Sequence, residues 1–469
     1  MDKYKIELYE SDMPKYVQIA KHIKRLIDIN EVNDGERLPS IRMLSKLLNV
    51  NNDTIINAYK KLQTEGCAVQ KIGSGTYAKK KEINKNFKKQ YSEIFKKMSA
   101  DEAKNYIDFT GENACSDFFP VLSFKSVLNE VLDRDGAEAL AYQEMLGYIG
   151  LRDSINRYFW ESSLNNDNIL IVSGAQQGID IVSKAMINVN DNVVVEKPTY
   201  SGALSVFKGR RANIFEVPVE ENGIDVESLK KILKKNKIKC FYLMSYFQNP
   251  TGATYSIDKK NEILKLAEEY DFYIIEDDYL SELIYDTNIE YKSFKTLDVN
   301  DRVIYIKSFS KIFLPGIRIG YLICPERFKE SIQNSKIDTD ISTSSLMQRA
   351  LHLYIEKGFW KDYINHLNTI YKDRYNFMKE QLKNIFQQKV EFNLPGGGLN
   401  FYIKLSDSID LDSIKLFYEC RENKVLLTPG VLFYKNIKDG ERFFRLGFSK
   451  VDNNEIYKGL SIINNLLKR

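Results

Sequence analysis

Apolar residues recur at every third or fourth position in the first part of the chain, and this spacing predicts three helices. The first begins near Pro14, and Pro39-Ser40 opens a second, short helix. A polar turn, 49–52, leads to the third helix, which Gly66 ends. The apolar stripes of the three helices are Ile19, Ile23, Leu26 and Ile27; Ile41, Leu44, Leu47 and Leu48; and Ile55, Tyr59 and Leu62.

Two short runs with strand character follow the third helix. These runs, 68–72 and 76–78, flank Gly73-Ser74-Gly75, which indicates a hairpin. The order helix, helix, turn, helix, hairpin over residues 1–78 is that of a winged helix-turn-helix.

Residues 79–104 are rich in lysine and poor in branched apolar residues. This composition predicts a solvated, partly helical linker. Contact between its lysines and a DNA backbone is the alternative that composition leaves open.

Beyond the linker, short apolar runs alternate with helical segments. The runs with the length of buried strands are 169–172, 192–195, 241–244, 272–275 and 303–306. Their alternation with helices predicts an α/β domain over 105–469, built on a mainly parallel sheet with helices on both faces. A C-terminal helix is expected over 456–467.

Composition narrows the class of protein. With 469 residues, 43% of them hydrophobic, the chain has room for about two to four domains. The net charge of +4 argues against a protein that coats nucleic acid along its whole length, but it permits one local DNA-binding module. No run approaches about 18 consecutive apolar residues, and the N-terminus lacks the apolar stretch of a signal peptide, so we expect no membrane span.

The cysteines and histidines indicate the cellular location and the kinds of site to expect. The five cysteines are scattered, as is typical of free thiols in a reducing cytosol, so a cytoplasmic location is expected. The three histidines form no metal-spaced cluster with them, so neither a metal site nor a histidine-based triad is expected.

Polar motifs follow several of the predicted strands, at the end where open α/β sheets place ligands. In the motif 173–178, small residues at the start of a helix let backbone N–H groups approach an anion. The other motifs are Glu196-Lys197-Pro198-Thr199-Tyr200, Asn249-Pro250-Thr251-Gly252, Glu276-Asp277-Asp278-Tyr279, Ser308-Phe309-Ser310-Lys311 and Pro315-Gly316-Ile317-Arg318-Ile319-Gly320. Each motif alone also fits an ordinary turn, so the signal lies in their order and spacing.

That order resembles the fold type I aminotransferases, which use pyridoxal 5'-phosphate (PLP), and the resemblance covers about residues 105–469. The N-terminal unit resembles the winged helix-turn-helix of GntR-type regulators through Leu38-Pro39-Ser40-x-Arg42, Glu65-Gly66 and 73–77. Together the two units resemble the MocR-type branch of the GntR family, which fuses both modules. The resemblance implies a large part at about 150–340 and a smaller α+β part at about 105–149 and 341–469.

The resemblance also implies roles for residues around the cofactor. Lys311 would bind the pyridoxal aldehyde covalently, and Asp277 would pair with the pyridine nitrogen. Tyr279 and Asn249 would hydrogen-bond the ring oxygen, and Tyr200 would stack on the ring.

A second group of residues would hold charged groups of the cofactor and of its ligand. The phosphate-binding groups implied by the family are the backbone of Ala175 and Gln176 together with Ser308, Ser310 and Arg318. Arg445 matches the arginine that grips a substrate carboxylate in this fold.

For the N-terminal unit the resemblance implies binding to double-stranded operator DNA, with the third helix in the major groove and the wing near the minor groove. The residues expected at this surface are Arg42, Asn52, Thr54, Asn57 and Gly75. Many family members have arginine just before the third helix, where this chain has Asn52 followed by Asp53. Asparagine is itself suited to reading adenine.

The sequence therefore predicts a PLP-dependent DNA-binding transcription regulator whose aminotransferase-like domain senses PLP or a small amino-compound effector. The alternative is an active aminotransferase with an accessory DNA-binding domain. A structural DNA-binding protein that has lost the cofactor is disfavoured, because Lys311, Asp277 and Asn249 are all present. The resemblance further implies a homodimer.

Overall fold

The computed structural model describes residues 2–9, 13–28, 31–71, 74–79, 83–142 and 144–468. It divides into two compact units, Met1–Ala103 and Lys104–Arg469. Ile72 and Gly73, which belong to the predicted hairpin, lie outside the described residues.

The first unit begins as the predicted winged helix-turn-helix. Its elements are α1 (Lys15–Asp28), α2 (Ile41–Leu48), α3 (Asn52–Thr64), β1 (Ala68–Lys71) and β2 (Gly75–Ala78). The two strands pair antiparallel, with Ala68 opposite Ala78. The helices bury the apolar stripes seen in the sequence, so that Ile19, Leu44 and Ile55 lie in one core.

Side-chain caps fix where the second and third helices begin. Ser40 accepts a hydrogen bond from the backbone N–H of Met43 at the start of α2. Asn51 does the same for Thr54 at the start of α3, with an N–O distance of 2.8 Å. Each cap satisfies a backbone donor that the first helical turn leaves without a partner.

The lysine-rich segment is helical over most of its length, as α4 (Ile83–Lys97) and α5 (Ala100–Ala103), and it groups with the first unit. Phe87, Tyr91 and Phe95 repeat every four residues along α4, with ring centroids 6.0 and 4.8 Å apart. Neighbours at this spacing stabilise a helix, which explains the regular structure among the lysines.

The second unit carries the remaining elements. In chain order they are β3 (Ile107–Asp108), α6 (Val121–Asp135), α7 (Ile149–Phe159), β4 (Ile169–Val172), α8 (Ala175–Met186), β5 (Asn192–Lys197), α9 (Ser201–Gly209), β6 (Asn213–Glu220), β7 (Gly223–Ile224), α10 (Val226–Leu233), β8 (Cys240–Leu243), α11 (Ile257–Glu269), β9 (Tyr273–Asp278), α12 (Phe294–Leu297), β10 (Val303–Ser308), β11 (Gly320–Ile323), α13 (Lys329–Ile337), α14 (Ser345–Glu356), α15 (Phe359–Phe386), β12 (Val390–Phe392), β13 (Asn400–Leu405), α16 (Ser413–Glu422), β14 (Val425–Leu426), β15 (Thr428–Pro429), β16 (Phe443–Gly447) and α17 (Asn453–Leu466).

An eight-stranded sheet forms the centre of the second unit, in the order β4-β11-β10-β9-β8-β5-β6-β7. Strands β10, β9, β8, β5 and β6 are parallel, whereas β11 and β7 run antiparallel to their neighbours. The predicted mainly parallel sheet is thus confirmed. Because β8, β9 and β10 are buried throughout, each begins with a continuous apolar run rather than an alternating pattern, and β9 and β10 end in polar residues.

The smaller part of the second unit contains the antiparallel sheet β12-β13-β16-β15. The short strand β3, at the start of the unit, pairs in parallel with β14. The backbone N–H of Gly447 in β16 also donates to the carbonyl of Phe109 at 2.7 Å. The segment that follows β3 is thereby held against this smaller sheet.

Candidate functional site

The carboxyl ends of the central parallel strands bring together the predicted chemistry. Asp277 lies at the end of β9, and Lys311 follows β10 by three residues. Because side chains alternate along a strand, Asp277 and its neighbour Asp278 point to opposite sides of the sheet. Asp278 pairs with the buried Lys307 at 3.0 Å, which leaves Asp277 for the pocket.

One carboxylate oxygen of Asp277 is available to a ligand. Its Oδ2 accepts a hydrogen bond from the hydroxyl of Tyr242 at 2.6 Å. Its Oδ1 is buried and has no hydrogen-bond partner among the residues that the structure describes. Burial raises the pKa of Asp277 to about 6, although the bond from Tyr242 opposes the shift. A protonated ring nitrogen would satisfy this oxygen, so the site fits the pyridine of PLP.

Lys311 and Arg445 are joined by a carboxylate that the sequence analysis did not single out. Glu112 Oε2 lies 3.0 Å from Lys311 Nζ, and Glu112 Oε1 accepts a hydrogen bond from Arg445 Nη1. Burial works against ionisation, but the charges of Arg445 and Lys311 hold the pKa of Glu112 well below its usual range. Glu112 is therefore an anion between two cations.

Arg445 is almost completely buried, with 1% of its surface exposed. Besides Glu112, its Nη1 donates to Asn249 Oδ1 at 2.7 Å, and its Nη2 donates to Thr428 Oγ1 at 3.2 Å. The hydroxyl of Tyr279 donates to the carbonyl of Phe247 at 2.7 Å. Asn249 and Tyr279 thus lie at the pocket, but their observed partners are protein groups.

An anion cradle lies at the start of α8. Gly174 precedes α8 with φ of 90° and provides no side-chain cap, so the first N–H groups of the helix, including those of Ala175 and Gln176, stay open to an anion. Arg318 Nη2 donates to the carbonyl of Ser173 at 3.1 Å. A Cβ atom at Gly174 would lie 3.0 Å from Arg318 Nη2, so glycine permits this close approach.

Both predicted serines lie beside Arg318. Arg318 Nη1 lies 3.4 Å from Ser310 Oγ, and the backbone N–H of Ser310 donates to Ser308 Oγ at 3.2 Å. The donor set of a guanidinium, two hydroxyls and a helix N-terminus suits a phosphate.

Tyr200 completes the lining near the cradle. Its hydroxyl donates to Gln176 Oε1 at 3.1 Å. Burial, followed by the nearby charges of Glu112 and Asp277, raises the pKa of Tyr200 to about 12. Tyr200 is therefore a neutral ring at neutral pH, as stacking on a cofactor would require.

Another buried acid, Glu196, lies one residue before the end of β5. Its carboxyl group accepts hydrogen bonds from Tyr255 at 2.7 Å and from Gln248 at 3.1 Å. Burial raises the pKa of Glu196 to about 8, although the hydrogen bonds from Tyr255 and Gln248 oppose the shift. The sequence motif contained Glu196, but only its complete burial distinguishes it from a solvated turn residue.

The predicted DNA-reading residues lie on the first unit. Arg42, Asn52 and Asn57 are exposed, whereas Thr54 is half-buried and belongs to the cap of α3. The hydroxyl of Ser45 donates to Asn52 Oδ1 at 2.8 Å, which links α2 to the start of α3.

The wing has a cation that the sequence analysis missed. Gly75 has φ of 117°, a conformation that favours glycine. A Cβ atom there would lie 3.1 Å from Arg37 Nε, so the exposed Arg37 guanidinium rests on the wing. Arg37 precedes the predicted second helix, and no local pattern distinguishes it from other surface arginines.

No helix in the described part of the chain is long and apolar enough to cross a bilayer. Within the same residues, no group of three or more histidine, cysteine, aspartate or glutamate side chains is placed to hold a metal ion.

Known proteins resemble both units. Residues 110–463 match the family "Aminotransferase class I and II", and residues 15–78 match "Bacterial regulatory proteins, gntR family". Aromatic-amino-acid aminotransferase 1 of Thermococcus litoralis is 30% identical, over 80% of this chain and 91% of its own. The HTH-type transcriptional regulator NorG of Staphylococcus aureus is 28% identical, over 92% of this chain and 100% of its own.

Among solved structures, Pyrococcus horikoshii kynurenine aminotransferase, in complex with PMP, superposes with a TM-score of 0.76. The sequence identity is 32%, and the match covers 81% of this chain and 94% of that one.

Proposed function

The chain belongs to the aminotransferase class I and II family and carries a gntR-family domain at its N-terminus, and on that premise we propose that it is a PLP-dependent DNA-binding transcription regulator. The second unit senses PLP, or a small amino compound that reacts with bound PLP. The first unit binds double-stranded operator DNA with an affinity that depends on the state of the pocket. The protein acts where the chromosome is, in the cytoplasm.

The observation that carries this proposal is the extent of the match to a regulator. NorG aligns over 92% of this chain, which includes both the DNA-binding unit and the aminotransferase-like unit. A match confined to the second unit would have favoured an enzyme instead.

The ring-binding side of the pocket supports PLP as the cofactor. When bound, PLP supplies an aldehyde that condenses with amines and a ring that withdraws electrons. Asp277 would keep a proton on the ring nitrogen through its unpaired Oδ1. Lys311 would hold the cofactor covalently and, once an amine replaces it, could carry a proton.

The phosphate-binding side supports the same cofactor. Arg318, Ser308 and Ser310 would hold the phosphate with the N–H groups of Ala175 and Gln176. Tyr200 would stack on the ring, and Asn249 and Tyr279 would orient its oxygen. Arg445 would hold the carboxylate of an amino-acid ligand.

The proposed assembly is a homodimer. Two copies related by a two-fold axis would present two DNA-binding units to repeated or palindromic half-sites. Arg42, Asn52, Thr54, Asn57 and Gly75 are the proposed contacts, with Arg37 added by its position on the wing.

The deciding experiment compares operator binding in three states. DNA fragments retained by the purified protein are sequenced, and a retained fragment is then titrated with the protein without PLP, with PLP, and with PLP plus a panel of amines and amino acids. A regulator is expected to change affinity by about 5–150-fold between states. Equal affinity and equal DNA bending in all three states would contradict the sensing function.

An active aminotransferase is the second candidate. The observation favouring it is the presence of Lys311, Asp277 and Arg445 in a unit whose fold is similar to that of an aminotransferase. Steady turnover of an amino acid with an oxo acid at about 1–1000 per second would support this candidate. A single half-reaction that stops after one turnover would support the regulator.

A further inference from the structure

Glu112 stands between the two cations on which ligand binding would depend. Its carboxylate contacts Lys311 Nζ through Oε2 and Arg445 Nη1 through Oε1. It therefore lies where a ligand that reacts at Lys311 and is held by Arg445 would place its own carboxylate.

The backbone around Glu112 is fixed on both sides. The N–H of Ala114 donates to the carbonyl of Lys311 at 2.8 Å, and Arg445 Nη2 donates to the carbonyl of Thr110 at 3.3 Å. A Cβ atom at Gly111 would lie 2.5 Å from Ser449 Oγ, so only glycine allows the chain to pass this close. The position of the Glu112 carboxylate thus follows from a segment with defined packing.

Arg445 has no accessible donor left for a second carboxylate, since its Nε, which has no hydrogen-bond partner among the described residues, is buried. Its guanidinium is buried, and both of its terminal nitrogens already donate to Glu112, Asn249, Thr428 and the Thr110 carbonyl. A planar guanidinium offers a limited set of directed donors, and two carboxylates on one edge would repel each other. An incoming carboxylate must therefore replace Glu112.

We propose that Glu112 is a specificity-determining residue that occupies the carboxylate position at Arg445. An amino acid binds only by displacing it, whereas an amine without a carboxylate leaves it in place. The favoured effectors are accordingly amines that lack an α-carboxylate. This inference rests on the proposed function only in treating the pocket around Lys311 as a ligand site.

The test compares ligand pairs that differ only in the carboxylate: L-alanine with ethylamine, and L-phenylalanine with 2-phenylethylamine. Dissociation constants are measured on the full-length PLP-loaded protein from the change in the cofactor's visible spectrum. In Glu112→Gln the affinity for each amino acid relative to its amine should rise roughly tenfold or more, because a charge-assisted competitor is gone. Asp117→Asn removes an exposed carboxylate from the same segment and should leave the ratio unchanged.

A second comparison tests whether Glu112 acts through Arg445. In an Arg445→Gln background, Glu112→Gln should no longer alter the ratio, since the shared partner is missing. An unchanged ratio in Glu112→Gln with Arg445 intact would overturn the proposal. Melting temperatures of all variants identify any that fail to fold.

A cofactor-free measurement separates this inference from the proposed function. Isothermal titration of 3-phenylpropionate into protein without PLP should show tighter binding to Glu112→Gln than to wild type, and equal binding would overturn the proposal. If no ligand changed operator affinity, the sensing function would be contradicted. The proposal about Glu112 would still be tested by the ratios of the dissociation constants for each amino acid and its amine.

Discussion

Arg445 lies buried in the second unit and contacts a carboxylate, an amide, a hydroxyl and a carbonyl, whereas Arg42 lies exposed on α2 of the first unit. The pocket around Arg445 also holds Glu112 and Asp277, whose pKa values burial and neighbouring charges shift in opposite directions. At the predicted DNA surface, the polar side chains of Arg42, Asn52 and Asn57 are exposed to solvent.

This contrast determines how each region responds to change. In the pocket, removal of one partner leaves a buried charge without compensation, at a cost of about 3–5 kcal/mol. At an exposed surface, solvent and salt screen each charge, so affinity builds up from many small contacts. Single substitutions should therefore act strongly in the pocket and weakly at the DNA surface.

Lys311→Ala should have the largest effect, because Lys311 is the residue proposed to hold PLP covalently. We expect the purified wild type to be yellow with PLP, and the variant to lose covalent attachment while keeping its fold. Borohydride reduction followed by peptide mapping measures the attachment. A label on another lysine, or on the variant, would show that the pocket has been assigned to the wrong residue.

Asp277→Asn tests the electrostatics of burial without PLP. Burial raises the pKa of Asp277 from 3.8 to about 6, so the folded protein binds this proton more tightly than the unfolded chain does. The stability that this proton contributes is full below about pH 4 and is lost as pH rises through about 6. Relative to the variant, wild type should lose about 2 kcal/mol between pH 4 and 7.

Tryptophan fluorescence during urea unfolding can measure this difference. The only two tryptophans, Trp160 and Trp360, both lie in the second unit, so the signal reports that unit alone. If the free energy of unfolding changed with pH in the same way in wild type and in Asp277→Asn, the argument that burial raises the pKa of Asp277 would be contradicted.

Local sequence patterns predicted most of the residues of the pocket. They predicted none of the contacts between residues that are distant in sequence. Lys311, Asp277 and Arg318 stand in motifs at strand ends, where a buried parallel sheet gives a strong sequence signal. Glu112 lies 199 residues from Lys311 and 333 from Arg445 in sequence, and its pairing depends on how β3 pairs with β14 and how Phe109 bonds to Gly447 of the smaller sheet. No local pattern carries that information.

In the first unit, the helices were predictable from the sequence, whereas the position of one surface arginine was not. Its helices follow from apolar spacing and from the caps Ser40 and Asn51, so their bounds were predictable. Arg37 was missed, because its place on the wing depends on the tertiary approach of the chain to Gly75.

Arg42→Ala should have an intermediate effect that sharpens the contrast. If Arg42 reads a base, operator affinity should fall by about 1–3 kcal/mol and discrimination at one position should weaken. If it contacts a phosphate, binding should weaken on all sequences, and the slope of log affinity against log salt should drop by about one. Fluorescence anisotropy with labelled DNA across a salt series separates the two. Unchanged affinity would remove Arg42 from the interface.

Asn51→Ala should have the smallest effect, and it separates stability from recognition within the DNA-binding unit. The Asn51 side chain caps α3 through the N–H of Thr54, so its loss should cost about 1 kcal/mol of local stability. Asn57 is exposed on the same helix and has no capping role, so Asn57→Ala is the matched control that should affect DNA affinity instead. Hydrogen exchange of the α3 amides, followed by mass spectrometry, should be about fivefold faster in Asn51→Ala and unchanged in Asn57→Ala. If both variants exchanged alike, the cap would not control the stability of α3, and effects of α3 substitutions on DNA binding could not be divided in this way.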